Sequence, residues 1–599
     1  MTDYQLHHLP NKKQWLEFSN PVDTISAVNS EQVLPALLEV QARVESETLY
    51  AAGWLGYAAA TGLDPNLEAQ ADQQQPLLKF SLYKRPAVLT ELPVDLIDLG
   101  QSGDVEKDHP QSRLIDLGGF DHGVYRAAIA QIKALLRRGD SYQVNYTQQL
   151  TGRWRGGSAA LFRHLLAAQP QSYAAYLVDD ERAICSVSPE LFFSLDGDEI
   201  RCRPMKGTAR RGRFMAEDRE AAEKLRASVK DQAENLMIVD MVRNDLGRIA
   251  ETGSIKVEQL FNLEQYPTVW QLTSTIAART GADLVTIFQA LFPCASIVGA
   301  PKRRTMQIIK DLEQGPRGLY TGAIGWMGPG RQAQFNVAIR TAQITTDHLT
   351  TAGQPVSYGV GGGIVWDSKT DLEAQECIDK SKVLVEAPTV GFRLLETLRW
   401  SPAEGYWLLS EHLLRIKQSA EYFLYEFDQS QLLALLRQAT AGFNNLNQRV
   451  RVTLTKQGQL EISHQPLQLD PLPVKLALFD QPVPDFESFR YHKTDPRPWL
   501  DGVPAPGSVG ADDWVFSNVD GHLTETTIAN LVIEHDGAWL TPPVESGLLP
   551  GTYRQRLLGT GVLREQIITP RMLEQASAIG LINSVRGWRS AILLPTKTL

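Results

Sequence analysis

The sequence predicts an α/β protein, α+β in the arrangement of its elements, with a large front half and a smaller back half. The chain has 599 residues, which is too many for one hydrophobic core. Segments with apolar residues at helical spacing recur among segments in which apolar and polar residues alternate, as in strands. The stretch Glu-Ala-Pro-Thr at residues 386–389 is typical of a linker. We therefore expect three regions: residues 1–120, residues 121–385 and residues 386–599.

Elements of the front half follow from local patterns. Residues 1–120 predict short strands and loops, with polar stretches at 67–75 and 101–111. Residues 125–138 predict a helix that Gly139 ends. Residues 216–249 predict a mostly helical segment, interrupted at Asn244 and Asp245. Residues 320–366 predict strands, with residues 359–363, four of them glycine, as a flexible turn.

The back half carries its own patterns. Strands are predicted over residues 392–400, 449–454 and 474–479, and helices over residues 409–427 and 429–440. Residues 481–512 predict a proline-rich loop around Lys493. No internal repeat at a fixed period is present.

Composition excludes several classes of protein. A hydrophobic content of 43% and a charged content of 21% are ordinary for a globular protein. The net charge of −10, without a long basic tract, argues against nucleic-acid binding. No apolar run reaches the roughly 20 residues that span a bilayer, and the first residues show no signal-peptide pattern. Four widely spaced cysteines match no zinc or redox motif, so a reduced, cytoplasmic location is expected: Cys185, Cys202, Cys294 and Cys377.

Lys206 is the most informative residue of the front half. It lies in Pro-Met-Lys-Gly-Thr at residues 204–208, between a rigid proline turn and a Gly-Thr pair, on exposed and closely packed backbone. A lysine amine can be a nucleophile where desolvation or nearby cations favour its neutral form. The motif resembles the Pro-Ile-Lys-Gly-Thr signature of aminodeoxychorismate synthase, the first component of para-aminobenzoate synthesis. The related anthranilate synthases carry alanine in place of this lysine.

Two acidic pairs suggest a metal site. Asp231 and Glu234 are three residues apart in a helical stretch, and so are Glu373 and Glu376, so each pair shares a helix face. Mg²⁺ takes hard oxygen ligands and is usually held by one or two carboxylates, while further acids can hold metal-bound waters. Spacing alone also fits two solvated helix faces.

Six sequence blocks resemble the chorismate-using enzymes, in the same order and with the same spacing over about residues 120–385. They are residues 233–236 with 240–246, 296–302, 317–322, 338–341, 361–365 and 367–368. The resemblance implies one large domain with two antiparallel sheets that face each other. It also implies the following site: Glu234 and Glu376 as Mg²⁺ ligands, supported by Asp231 and Glu373; Arg340 and Tyr320 on a chorismate carboxylate; and Gly361, Gly363, Lys380, Ser296, Thr208 and Gln143 as further substrate contacts.

Gln143 limits which reactions of chorismate are possible. Relatives that add water to chorismate place a lysine there as the general base, and an amide cannot take that proton. The ammonia-using branch is therefore favoured, in which the lysine matching Lys206 attacks C2 of chorismate and ammonia then attacks C4. The chain departs from the family at Gln271, where many relatives have histidine, and at Val298, where they have Thr or Ser.

The ammonia source is expected to be another protein. None of the four cysteines lies in the Gly-x-Cys-x-Gly nucleophile motif of glutamine amidotransferases. The resemblance therefore implies a separate amidotransferase subunit, or ammonia from solution.

The back half resembles fold-type IV pyridoxal-phosphate enzymes. Tyr-His-Lys-Thr at residues 491–494 matches their Schiff-base lysine, and further blocks lie at residues 395–398, 412–416, 518–530, 547–554 and 583–587. The cofactor needs an acid at its ring nitrogen and cationic and N–H groups at its phosphate. The resemblance implies the following roles: Lys493 as the catalytic lysine; Glu525 at the ring nitrogen; Arg415, Gly551, Thr552, Tyr553 and Ser584 around the phosphate, with Asn583 beside them; and homodimer formation through this half.

Within fold-type IV, the back half is most similar to aminodeoxychorismate lyase. Asn583 and Ser584 replace a Gly-Thr pair of the aminotransferases, and Thr397 matches a threonine beside the cofactor of the lyase. The product of the front half would be the substrate of such a lyase. Together the resemblances imply a bifunctional enzyme that converts chorismate and ammonia into para-aminobenzoate and pyruvate. Two alternatives stay open: an anthranilate synthase joined to an aminotransferase, and a ligand-binding regulator that has lost catalysis.

Overall fold

The computed structural model describes residues 3–72, 75–93, 96, 113–345, 353–385, 391–443, 446–468, 471–483, 488–505, 507 and 510–595. The chain forms two compact units, one of residues 1–210 and 222–388 and one of residues 211–221 and 389–599. The expected linker at 386–389, the polar stretch at 101–111 and part of that at 67–75 lie outside the described residues. In the described part of the chain, no helix is both long and apolar enough to cross a membrane.

The strands before residue 386 are β1 Tyr4–Leu9, β2 Gln14–Phe18, β3 Asp23–Ala27, β4 Tyr50–Leu55, β5 Leu78–Tyr83, β6 Ala87–Leu89, β7 Arg113–Gly118, β8 Gln143–Arg155, β9 Tyr173–Val178, β10 Arg182–Ser188, β11 Leu191–Asp196, β12 Glu199–Arg203, β13 Met205–Arg210, β14 Lys256–Gln265, β15 Val269–Arg279, β16 Gly299–Ala300, β17 Ala323–Gly328, β18 Gln332–Val337, β19 Thr341–Thr345 and β20 Gln354–Ile364. The helices are α1 Ser30–Ser46, α2 Ala60–Leu63, α3 His122–Arg137, α4 Ser158–Ala168, α5 Met215–Ala227, α6 Val229–Gly247, α7 Leu284–Leu291, α8 Lys302–Leu312 and α9 Thr370–Val385.

Two antiparallel sheets, each with ten described strands, form the first unit. One has the order β16-β8-β20-β19-β10-β9-β1-β2-β6, with β7 on β8. The other has the order β13-β15-β12-β11-β18-β17-β4-β5-β3, with β14 on β15. One hydrophobic cluster takes side chains from both sheets, for example Tyr146 and Phe193. The expected α/β domain with two sheets is confirmed.

Helix α1 was not expected in a region that predicted only strands and loops. The Asn29 side chain accepts a hydrogen bond from the Gln32 N–H and so caps its first turn. Val33, Leu37 and Val40 are buried at helical spacing. The apolar period was therefore present in the sequence, although a proline within the helix weakens it.

The break in the helical segment 216–249 falls at Ser228, and the expected interruption at Asn244 and Asp245 is wrong. The Ser228 hydroxyl accepts a hydrogen bond from the Asp231 N–H and begins α6, which continues to Gly247. Asp245 stays inside the helix and pairs with Lys302 at 2.9 Å.

The glycines at residues 359–363 do not form a turn, because they lie within β20 and pair with β8 in unbroken register. A Cβ at Gly359 would lie 2.2 Å from the Tyr320 ring, and one at Gly361 would lie 2.5 Å from the Tyr146 carbonyl oxygen. Close packing therefore requires glycine here, and the expectation of flexibility is wrong.

The second unit contains β21 Leu394–Ser401, β22 Gly405–Tyr406, β23 Gln448–Leu454, β24 Leu460–Pro466, β25 Val474–Leu478, β26 Asp513–Ser517, β27 Leu523–Thr526, β28 Asn530–His535, β29 Ala538–Thr541, β30 Arg564–Glu565, β31 Ala578–Asn583, β32 Gly587–Leu593, α10 Leu409–Phe423, α11 Gln429–Thr440, α12 Thr552–Gly559 and α13 Pro570–Gln575. Helix α10 ends before residue 427, since Leu424 is left-handed with a φ of 60°.

Two sheets divide the second unit. A four-stranded sheet, β22-β21-β23-β24, shares a hydrophobic cluster with α10 and α11. A mixed sheet has the order β27-β26-β25-β32-β31-β28-β29-β30 and a separate core. The expected division into two subdomains, of fold-type IV architecture, is confirmed.

A buried ion pair ties the first unit together. Arg317 bonds Glu313 at 2.8 Å and donates to the carbonyl oxygens of Asn145 and Ile297. Glu313 also accepts from the Thr147 N–H and hydroxyl. The pair therefore joins β8, α8 and the loop after residue 294.

Replacing Arg317→Met leaves the buried Glu313 carboxylate without its cation, so the free energy of unfolding of the first unit should fall by about 3–5 kcal/mol. Hydrogen exchange in peptides from β8 measures this change. Arg279→Met removes an exposed ion pair with Asp198 and serves as the control, with unchanged exchange expected. Equal protection in both variants would contradict the role given to Arg317.

Candidate active sites

A cavity of about 280 Å³ in the first unit gathers most of the front-half residues that the sequence indicated. Its lining includes Lys206, Thr208, Asp231, Glu234, Ser296, Tyr320, Arg340, Gly361, Gly363, Glu373, Glu376 and Lys380. These residues are up to 174 positions apart in the chain, from Lys206 to Lys380. The sheets and two helices therefore bring the separate motifs to one place.

Lys206 lies on β13 where the pairing with β15 shifts register, between Met205 and Thr208. Gly207 adopts a φ of +96° at this bulge, which favours glycine. The Lys206 Nζ lies 3.5 Å from the Glu234 Oε2, so the lysine and a proposed metal ligand are neighbours in the cavity lining.

Helix α9 supplies a second pairing of opposite charges. Lys380 Nζ lies 2.7 Å from Glu376 Oε1 and donates to the Gly361 carbonyl oxygen at 2.8 Å. The lysine lowers the pKa of Glu376 to about 2. Arg340 donates to the Lys380 carbonyl oxygen at 2.6 Å, which holds its guanidinium at the cavity. Arg340 is thus held by the Lys380 backbone, and the Lys380 amine is held by Glu376 and the Gly361 carbonyl oxygen.

The four expected Mg²⁺-associated acids line the same cavity, from α6 and α9. Hard carboxylate oxygens are the chemistry that Mg²⁺ needs. However, within the described residues no three His, Cys, Asp or Glu side chains cluster closely enough to hold a metal ion. Glu234 and Glu376 pair with lysines instead. The donor set is suitable in kind, and the magnesium site stays a prediction.

Gln143 is fully buried behind the cavity, beside Gly363. A Cβ at Gly363 would lie 2.6 Å from the Lys206 Nζ and 2.8 Å from the Gln143 Nε2. Neither amide atom of Gln143 has a hydrogen-bond partner among the described residues. Glycine at this position therefore makes room for the Lys206 amine and the Gln143 amide to approach the β20 backbone closely.

Glu190 is a cavity residue that the sequence analysis missed. It accepts a hydrogen bond from the Ser296 hydroxyl at 2.6 Å and is almost completely buried. Burial raises its pKa to about 7, although Ser296 and the Lys206 charge oppose the rise. Its sequence signal was only an acid between two apolar strands, β10 and β11, since the resemblance had assigned it no role.

A second cavity, of about 260 Å³, lies in the second unit. It is lined by these expected residues: Thr397, Arg415, Lys493, Glu525, Gly551, Thr552, Asn583 and Ser584. Tyr553 is not among them, because its ring packs on Trp407 with the ring centroids 4.8 Å apart.

Lys493 is fixed by backbone pairing. Its carbonyl oxygen accepts from the Leu395 N–H at 2.8 Å, which joins the lysine loop to β21. Desolvation, with the charges of Arg497 and Arg415, lowers the pKa of Lys493 to about 7. Burial raises the pKa of Glu525, across the same cavity, to about 7. A partly neutral amine and a proton-sharing carboxyl are what a pyridoxal aldehyde and its ring nitrogen require.

Arg415 and the start of α12 form a cationic end of the cavity. Both Arg415 Nε and Nη2 donate to Glu396, which is buried with a pKa lowered to about 2 by Arg415 and His412 against the cost of burial. His412 links Glu396 to Thr552, at 2.6 and 3.5 Å. A helix N-terminus beside an arginine suits a phosphate. Glu396, which the sequence analysis left without a role, orients this end.

Gly551 and Asn583 have structural reasons beyond the cofactor. A Cβ at Gly551 would lie 2.1 Å from the Asn530 Oδ1. The Asn583 Oδ1 accepts from the N–H groups of Val585 and Arg586. Ser584 donates to the Thr397 carbonyl oxygen at 3.4 Å.

The first cavity holds Lys206 among acids, and the second holds Lys493 beside groups that suit a phosphate. This pair of sites is typical of a chorismate-using enzyme joined to a pyridoxal-phosphate domain. A model of the chorismate binding enzyme family matches residues 3–386, and a model of class IV amino-transferases matches residues 393–592. The chain belongs to the chorismate binding enzyme family, and it carries a class IV amino-transferase domain after it.

Similar proteins agree with the first match. The chain is 42% identical over 258 residues to aminodeoxychorismate synthase component 1 of Klebsiella aerogenes, across 43% of this chain and 56% of that protein. It is 35% identical over 270 residues to anthranilate synthase component 1 of Aquifex aeolicus, across 45% and 53%. The chain spans little more than half the length of these relatives. Anthranilate synthase component I of Streptococcus pneumoniae shares the fold, with a TM-score of 0.50 and 24% identity, across 64% and 92%.

The low pKa of Lys493 has a measurable consequence. A lysine whose pKa is lowered to about 7 is neutral above that pH, so covalent capture of pyridoxal phosphate by the apoprotein should speed up as pH rises through about 7. Borohydride trapping of the lysine–cofactor bond at each pH, followed by mass spectrometry of the Lys493 peptide, measures the rate. Acetyl-lysine amide should show its rise near pH 10 under the same conditions.

Arg497→Met provides the internal control for that profile. Loss of the Arg497 charge should move the midpoint to higher pH, since this cation helps to lower the pKa of Lys493. A midpoint near pH 10 in the unaltered protein would contradict the prediction.

Proposed function

We propose that the chain is a bifunctional enzyme that makes para-aminobenzoate from chorismate and ammonia through 4-amino-4-deoxychorismate, with pyruvate released, for folate synthesis. The observation that carries the proposal is the presence in one chain of Lys206 in an acidic cavity and Lys493 in a class IV amino-transferase domain. The relatives named aminodeoxychorismate synthase support the first activity.

Charge balance favours a dicarboxylate in the first cavity only together with a cation. The lining includes five acids, Glu190, Asp231, Glu234, Glu373 and Glu376, and four bases, Lys206, Lys230, Arg340 and Lys380. With Glu190 protonated as a general acid, four carboxylates face four cations, so an entering dianion would add two uncompensated negative charges. Bound Mg²⁺ would supply the missing positive charge, held by Glu234 and Glu376 with Asp231 and Glu373 behind them. Arg340 would then bind a substrate carboxylate with its planar fork.

The front-half reaction needs a nucleophile and an acid. Lys206 would first give its ammonium proton to a neighbouring carboxylate or to solvent. Its neutral amine would then attack C2 of chorismate, the ring double bonds would shift, and the C4–O bond would break. Glu190, which lines the same cavity, would give the departing hydroxyl a proton, so that water leaves. Ammonia would then attack C4, the double bonds would shift back, and the C2–N bond to Lys206 would break. The amide of Gln143, beside Lys206, cannot activate water for the competing addition.

The second cavity is strongly basic. Its lining includes one acid, Glu525, and seven bases: Arg415, Arg449, Arg451, Arg490, Lys493, Arg497 and Arg586. Arg415 is already paired with Glu396, but Arg449, Arg451 and Arg497 add positive charge that one phosphate would not compensate. A substrate with two carboxylates therefore fits. Arg449 and Arg451 alternate with buried residues on β23, and within the described chain neither is paired with a carboxylate. This excess favours 4-amino-4-deoxychorismate over a substrate with one carboxylate.

The back-half step would be a lyase reaction. Pyridoxal phosphate, when bound, supplies an electron-withdrawing ring that acidifies the C4 hydrogen of the substrate amine. Lys493 would take that proton, and the enolpyruvyl C–O bond would break as the ring becomes aromatic. The departing group takes up a proton and leaves as pyruvate. Thr397, which lines the same cavity, would assist this step.

Further components complete the proposal. Ammonia would come from a separate glutamine amidotransferase subunit, because the sequence lacks that nucleophile motif. Two copies would pair through the back unit, as the resemblance implies. The four cysteines are buried thiols, consistent with work in a reducing cytoplasm.

The second candidate is an anthranilate synthase joined to an aminotransferase, favoured by the 35% identity to a named anthranilate synthase component. The two candidates differ in their products and in their need for Lys206.

One incubation separates the candidates. With chorismate, ammonium, Mg²⁺ and pyridoxal phosphate, the unaltered protein should form para-aminobenzoate and pyruvate in equal amounts, measured by mass spectrometry. Lys493→Ala should accumulate 4-amino-4-deoxychorismate, since only the second step is lost. Lys206→Ala should abolish both products. Lys310→Ala removes an exposed lysine and should leave both yields unchanged. Anthranilate from the Lys206→Ala variant would establish the second candidate.

Glu190 should impose a pH limit on chorismate consumption. A general acid must be protonated, so kcat/KM should fall as pH rises through about 7. Glu190→Gln should lower the rate roughly 10²–10⁴-fold and abolish this limb. Ser296→Ala removes a hydrogen bond that lowers the Glu190 pKa, so the limb should move to higher pH; the Lys206 charge and the Cys294 thiol also face Glu190. A limb that stays in Glu190→Gln assigns it to another group.

A further inference from the structure

Lys206 lies where the hydrogen-bonded pairing of its strand with the neighbouring strand is interrupted. The register between β13 and β15 shifts between Met205 and Thr208, so the ladder is interrupted at Lys206 and Gly207. A bulge leaves carbonyl groups without their ladder partners. A buried carbonyl oxygen must find another donor, or the bulge loses its geometry.

Asn235 supplies that donor. Its Nδ2 donates to the Lys206 carbonyl oxygen at 3.2 Å and to the Leu272 carbonyl oxygen at 3.3 Å. Its Oδ1 accepts from the Ser274 hydroxyl at 2.6 Å. Asn235 is 2% exposed. One amide therefore bridges β13 to β15 at the bulge.

The same residue anchors the acidic helix. Asn235 follows Glu234 directly on α6, and the cavity acid Asp231 lies one turn earlier. A Cβ at Gly207 would lie 3.1 Å from the Asp231 Cβ, so the bulge already contacts this helix closely. The spacing between the lysine and the two acids is therefore set through Asn235 and the glycine beside Lys206.

We propose that Asn235 is a positioning residue that holds Lys206 at its attacking position and in register with the carboxylates of α6. It touches the Lys206 backbone and not the substrate. The proposal deepens the function given above and rests on Lys206 being the nucleophile. It also gives Ser274 a role, because the Ser274 hydroxyl fixes which end of the Asn235 amide faces the two carbonyl oxygens.

Asparagine fits this position and close substitutes do not. Two carbonyl oxygens need a donor, and the hydroxyl needs an acceptor, so a primary amide satisfies all three. Aspartate would place a carboxylate oxygen against the two carbonyl oxygens. Alanine would leave the carbonyls and the Ser274 hydroxyl without partners in a buried place.

Three variants test the proposal: Asn235→Asp, Asn235→Ala and Ser274→Ala. A displaced nucleophile loses reaction rate before it loses binding, so Asn235→Asp should lower kcat for chorismate consumption roughly hundredfold. KM for chorismate should stay near that of the unaltered protein. Ser274→Ala should act in the same direction with a smaller loss. Asn262→Asp, an equal change on the exposed strand β14, is the matched control and should leave kcat unchanged.

A substrate-free measurement separates this proposal from the proposed function. Brief acetylation with acetic anhydride, read by peptide mass spectrometry, gives the rate at Lys206 relative to that at Lys310. The ratio should rise in Asn235→Asp, because the released bulge exposes the amine. If the unaltered protein forms no aminated product, the proposed function fails, while the ratio still reports on Asn235.

Two outcomes would overturn the proposal. One is an unchanged kcat and an unchanged ratio in both Asn235 variants. The other is a loss of kcat in which all lysines react faster together and Tm falls, since that pattern assigns Asn235 a general structural role. Retained Tm with a raised ratio and a selective loss of kcat supports it.

Discussion

Pairing of opposite charges within the two cavities is the constraint on which the sites depend. In the first unit, Glu234 and Glu376 face Lys206 and Lys380 at 3.5 and 2.7 Å. Such groups can share a largely enclosed space only while each charge has a compensating neighbour. The glycines of β20, the bulge of β13 and the two acidic helices all serve this proximity, because each removes bulk or supplies an opposite charge.

The two units surround their cavity lysines with different charges. The first surrounds Lys206 with five acids and three further basic residues. The second surrounds Lys493 with arginines, which disfavour its protonated form and attract anions. One chain therefore contains one cavity of nearly balanced charge and one cavity with an excess of basic groups.

Local sequence signals were reliable where packing and local chemistry agree. The helices around Ile129 and at residues 429–440, and the strands at 449–454 and 474–479, were expected from period alone. They failed where tertiary contacts override local chemistry. Residues 359–363 suggested a turn, because glycine usually marks flexibility, yet Tyr320 and Tyr146 leave no room for a Cβ in a continuous strand. The break at Ser228 is a different case, because it comes from a local hydrogen bond by which the Ser228 hydroxyl caps α6.

The sequence by itself determined the two units' families and the order of the motifs, and it singled out Lys206 and Lys493 as candidates, because these rest on residue types at set spacing. Only the tertiary structure decided which residues meet. Glu190 gained its perturbed pKa from burial beside Ser296, Glu396 from its contacts with Arg415 and His412, and Asn235 its role from a bulge in a distant strand. The burial of a single charged side chain and hydrogen bonds between distant residues leave no periodic pattern in the chain, so they are established only when the sheets form.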